Sequence, residues 1–247
     1  MAERFPAGAG RRPVTAGHRA GQAAGMLTET SPTPRRTAGS LATASAVVSG
    51  AAGLLANVLL VLFFLLARPL RDATNTFTWL GPANDIVVVV QFAAFVPVAL
   101  ALATRLPRTR SVRTATAAGV VAMIAVAVLQ ALLVAGTVDF DVQVILVSAV
   151  FLVVFGWVFV TSATAHRVGA LPRPVTRFGL LLGMSYPLGV LVAAPGLLFA
   201  WGSAAQFAFV VPGVVLGSLG WLGLPAWPLL LARPLGNVDV DPPPRAP

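Results

Sequence analysis

FGLLLGMSYPLGVLVAAPGLLFAWGSAAQFAFVVPGVVLGSLGWLGLPAWPLLLA, residues 178–232, contains no charged side chain. A helix crosses a bilayer with about 20 apolar residues at about 1.5 Å rise each. This run is nearly three times that length, so it must reverse once. The reversal is expected at Trp201-Gly202-Ser203-Ala204-Ala205-Gln206, where small and polar residues interrupt the apolar sequence. Working outward, four more charge-free runs (37–67, 86–104, 114–138 and 142–165) are each long enough for one crossing. These runs are continuous, whereas barrel strands alternate apolar and polar residues, and helices satisfy their own backbone in lipid. The predicted fold is all-α, a polytopic transmembrane bundle of six spans at 46–67, 86–104, 116–136, 144–165, 178–200 and 207–231.

Composition supports this solvent assignment. Hydrophobic residues make up 57% of the chain and charged residues 10%, against about 45–50% and about 25% in soluble domains. The absence of cysteine excludes disulfides, thiolate metal sites and a cysteine nucleophile. All 17 basic residues are Arg, which, with the abundance of Ala, Gly, Val and Pro, reads as codon bias in a GC-rich bacterial genome.

Arg placement sets the expected orientation, because basic residues near span ends are retained in the cytoplasm. Arg4, Arg11, Arg12, Arg19, Arg35 and Arg36 precede the first span. Arg105, Arg108, Arg110 and Arg113 fill the second connector, Arg167, Arg173 and Arg177 the fourth, and Arg233 and Arg245 the tail. The other side holds only Arg68 and Arg71, together with Asp72, Asp85, Asp139 and Asp141. Both termini are therefore expected in the cytoplasm, and the localisation is the cytoplasmic membrane of a bacterium. Residues 1–40 lack an apolar period and read as a disordered tail, with Met26 a candidate start of a shorter product. Residues 233–247 read as a second short tail. Trp79, Trp201 and Trp227 are expected near membrane interfaces.

No Asp, Glu, Lys, Arg or His falls inside a drawn span, which argues against a proton relay and against an intramembrane enzyme. His166 reads as an interfacial cap, and Asp139-Phe140-Asp141 as a solvated turn with Val138, Val142 and Gln143. No cofactor or metal is expected. Asn57, Gln91, Gln130 and Ser148 are uncharged polar residues at depth and form a candidate buried polar layer. The two glutamines lie roughly 8–9 Å below the outer ends of their spans. These residues serve either as interhelical glue, about 0.6 kcal/mol per contact, or as the lining of a polar cavity. Spans five and six carry Pro187, Pro195, Pro212, Pro225 and Pro228, with Gly179, Gly183, Gly213 and Gly217 at spacings that permit close packing of the two. Ser185 and Tyr186 precede Pro187, and this trio marks a candidate broken-helix site.

The resulting function is a non-enzymatic accessory, scaffolding or lipid-interacting membrane protein. Its expected partners are anionic lipid headgroups at the Arg connectors, with no nucleic acid. The alternative is a transporter component. In topology alone, six spans with both ends inside resemble ABC-type permease subunits, which implies an ATP-binding subunit or other protein partner. A neutral-solute carrier is the other form of this alternative.

Overall fold

The computed structural model describes residues 34–67 and 76–236. They form helices joined by short connectors. Helix α1 is Pro34–Leu62, continued by a π-helical turn at Phe63–Ala67. It is followed by α2 Leu80–Arg105, α3 Arg110–Val134, α4 Phe140–Val168 and α5 Arg173–Ala193. The last of these runs on into a 3-10 turn at Ala194–Leu198, and α6 Ala204–Gly223 and α7 Ala226–Gly236 complete the order. Six stretches are long and apolar enough to cross a membrane: Gly39–Ala67, Leu80–Arg105, Arg110–Val134, Phe140–Val168, Arg173–Leu198 and Ala204–Gly236.

Most helices extend past the charge-free runs because their polar ends stay helical. α2 begins at Leu80, so Asp85 lies on the helix, with Asn84 Nδ2 donating to its Oδ1 at 3.3 Å. α1 begins at Pro34 and takes residues 34–40 out of the expected tail. Local chemistry fixes other ends. Thr109 Oγ1 accepts from Val112 N at 3.3 Å and caps α3. Gly169, at φ 68°, closes α4 in the left-handed region. The candidate start at Met26, residues 1–33, Arg68, Arg71, Asp72 and residues 237–247 lie outside the described residues.

Helices α2 to α6 each pack on the preceding helix, and α7 returns against α1. The last crossing is divided, with α6 lying on α5 and α7 on α1. The interruption falls at Leu224-Pro225. Pro225 and Pro228 each lack an amide hydrogen, so two neighbouring helical bonds cannot form.

At the centre, Phe95 of α2, Trp157 of α4 and Trp227 of α7 meet edge to face, with ring centroids 5.5–6.1 Å apart. Such pairs contribute about 0.5–1.5 kcal/mol each beyond area burial. Trp227 is thus a buried core residue rather than an interfacial one, because the helix break turns it inward. Trp79 and Trp201 are exposed. The glycine pairs also divide their work. Gly213 and Gly217 meet Gly189 of α5, whereas Gly179 and Gly183 face Ser162 and Phe159 of α4. Gly179 and Gly183 therefore do not serve the α5–α6 contact expected for them.

Arg105 Nη1 donates to Pro234 O, and Nη2 to Leu235 O at 2.7 Å. The guanidinium thereby satisfies carbonyls at the end of α7, where a cation also complements the helix dipole. The contact brings the C-terminal ends of α2 and α7 together. On the same bundle end, Arg108, Arg110, Arg113, Arg167, Arg173 and Arg177 are exposed.

Candidate functional site

The four polar residues expected in one layer occupy three separate places. Asn57 Nδ2 donates to Leu222 O at 3.1 Å. Leu222 lies in the last turn of α6, where carbonyls lose their helical donors, so Asn57 satisfies a group freed by the break. Gln91 approaches the same break through Gly53. A Cβ on that glycine would lie 2.7 Å from Gln91 Nε2 and 2.6 Å from Pro225 Cγ.

Gln130 bonds across to α4, where Gln143 Nε2 donates to its Oε1 at 2.9 Å, with both side chains buried. Gln143, although next to the exposed Asp139-Phe140-Asp141 turn in sequence, therefore belongs to the α3–α4 seam. α4 starts at Phe140, which places residue 143 one turn inside the helix and facing α3. Asp139 and Asp141 remain exposed on the first turn. His166 Nδ1 lies 3.0 Å from Thr176 Oγ1 and joins α4 to α5.

The Ser185, Tyr186 and Pro187 trio does not mark a break, since α5 runs helically through Pro187 to Ala193. Ser185 Oγ donates back to Leu182 O within its own helix at 2.9 Å. Tyr186 reaches α4. Its hydroxyl donates to Ser148 O at 3.3 Å, and its ring stacks on Phe155 with centroids 4.8 Å apart.

Ser148 and Tyr186 nevertheless belong to one feature. Two adjoining clefts share Val190 and Ala193 along α5 and α6. The first, about 470 Å³, is lined by Ser148, Leu197, Gln206, Phe207 and Val210, among others. The second, about 270 Å³, includes Tyr186, Gly213, Gly217 and Trp221. The first volume falls within the ordinary range for ligand cavities. None of the lining residues carries a charge.

The polar end of this cleft is built by the α5–α6 turn. Ser203 Oγ accepts from Gln206 N at 3.2 Å, and Gln206 Oε1 accepts from Gly202 N at 2.6 Å. This is a capping-box arrangement shifted by one residue. It holds the Gln206 side chain at 6% exposure beside the cleft, and its Nε2 has no acceptor among the described residues.

Comparison with known proteins adds no relative. No protein-family model matches this chain, and no curated protein or solved structure is significantly similar to it.

The chemistry available to the cleft is therefore read from its own groups: an amide donor at one end, aromatic rings at the other, and aliphatic walls between. Such a lining suits an apolar molecule that carries a hydrogen-bond acceptor. Sequence reasoning missed Gln206, although Ser-x-x-Gln at 203–206 spells a capping box. It also gave no sign that Ser49 Oγ, Thr116 Oγ1, Trp157 Nε1, Ser162 Oγ and Trp227 Nε1 would be buried without a hydrogen-bond partner among the described residues. No sequence signal distinguishes these from residues that bond within their own helix.

Proposed function

We propose that this chain is a non-enzymatic, lipid-interacting accessory or scaffolding protein of the bacterial cytoplasmic membrane, with both termini on the cytoplasmic side. Its six membrane-length helices make it compatible with multi-pass insertion. The observation that carries the reading is an uncharged cleft with hydrocarbon walls on α5 and α6, set in helices whose surroundings would be lipid. The exposed Arg side chains at and beside the α2–α3 and α4–α5 connectors support it further. Anionic headgroups of an inner leaflet attract such clusters with about 1 kcal/mol per basic residue.

Purification in native lipid, followed by mass spectrometry of everything retained, tests the reading. A reproducible set of lipids, or a fixed membrane partner, is the expected result. Saturable solute flux in proteoliposomes would contradict it.

One observation favours the second reading, a neutral-solute carrier. The α6–α7 break, flanked by Asn57 and Gln91, resembles the interrupted helices that line transporter sites. That reading requires flux that is lost in the Asn57→Ala and Gln91→Ala double variant. The ABC-type form of the alternative would in addition require a separate ATP-binding chain.

A further inference from the structure

We infer that the α5–α6 cleft is a binding site for one acyl chain of a diester glycerophospholipid, whose ester carbonyl accepts a hydrogen bond from Gln206 Nε2. The inference rests on the lipid-interacting reading above and names the ligand and the atom that selects it. Gln206 supplies the decisive observation. The residue is more than nine-tenths buried and lines the cleft, its Oε1 accepts from Gly202 N, and its Nε2 has no acceptor among the described residues. An amide donor that opens onto an apolar cleft set in lipid finds no water to pair with, so an acceptor carried by a ligand is favoured at that place.

The rest of the cleft defines what bears the acceptor. Beyond Gln206 the first cleft is walled largely by aliphatic side chains, including Val190, Leu197 and Val210, and it continues past Val190 and Ala193 to Tyr186 and Trp221. An extended hydrocarbon matches this shape, with its polar end at the start of α6 and its tail towards the aromatic floor. Leu197 and Phe207 line the cleft and are themselves exposed, so a chain can enter sideways from the surrounding lipid. The class of acceptor follows from charge. A free fatty acid would bring a carboxylate to a lining with no cation, and an unpaired charge in such a place is costly. A neutral ester carbonyl needs only the amide donor that is present.

The test uses the full chain reconstituted in nanodiscs containing equimolar diester and diether phosphatidylglycerol with identical chains, then stripped with mild detergent and analysed by mass spectrometry. The wild-type protein should retain about one phospholipid, diester over diether by about fivefold, the ratio expected for one hydrogen bond. Gln206→Met leaves the Ser203 cap in place and should erase that preference. Val190→Trp fills the junction of the two clefts and should lower retention by more than about tenfold. Leu191→Trp, on an exposed face outside the cleft, should behave as wild type.

Equal retention of diester and diether lipid by the wild type, retention of free fatty acid instead, or full retention by Val190→Trp would each overturn the site. A chain that inserts in the membrane but holds no lipid sinks this inference alone. A chain that remains soluble without detergent sinks the functional reading with it.

Discussion

At the residue scale, polar side chains in this bundle stabilise by finding the carbonyls and amides that helix ends and helix breaks leave open. Gln130 and Gln143 satisfy each other between α3 and α4. Gln130→Leu strands the Gln143 amide and is expected to cost about 1 kcal/mol. The Gln130→Leu and Gln143→Leu double variant should cost less than the sum of the two singles, measured by unfolding in mixed micelles. Arg105 acts on the last turn of α7 through two donors. Arg105→Met should lose about 2 kcal/mol and speed hydrogen exchange over residues 226–236. Arg105→Lys should recover only part of that protection, because an ammonium cannot reproduce the fork. Gln130 and Asn57 were legible as polar residues at depth from their positions in apolar runs. Their partners, Gln143 and the Leu222 carbonyl, lie 13 and 165 residues away, and no local pattern reveals a bond of that separation.

At the scale of elements, proline position alone did not locate the interruption. Pro187 sits inside a continuous α5, whereas Pro225, with Pro228 three residues on, divides α6 from α7. One lost donor leaves α5 continuous, whereas the two lost within one turn at Pro225 and Pro228 coincide with the break. The α5–α6 contact depends on the absence of side chains at Gly189. A Cβ there would meet Gly217 N at 2.5 Å and Gly213 O at 2.6 Å, both backbone atoms that cannot rotate aside. Gly189→Val is therefore expected to destabilise the helix pair by about 3 kcal/mol, seen as a lowered unfolding midpoint and as cleavage by added protease at the α5–α6 turn. Substitution at Leu191, on an exposed face of α5, should be nearly neutral. The cleft exists because the same small residues that let the helices approach leave a groove beside the contact.

At the scale of the whole molecule, the proposed orientation makes a direct prediction, and the absence of native cysteine makes it simple to test. Single cysteines at Arg108 and Thr137 lie in the connectors at the two ends of α3. In intact cells, a membrane-impermeant maleimide should label Thr137→Cys and spare Arg108→Cys. Permeabilised cells should label both, and the opposite pattern would invert the bundle. The number of membrane-length helices, their order and the place of the reversal near residue 202 were readable from the chain, since transfer to hydrocarbon depends on each run's own side chains. Which helices touch was not readable, nor was the meeting of Tyr186, Ser148 and Gln206 around one cleft. Those outcomes depend on backbone approach at glycines, on a break that turns Trp227 inward, and on hydrogen bonds between residues far apart in sequence. Burial in lipid is a property of segments and can be read along one dimension, whereas a site is a property of surfaces brought together in three.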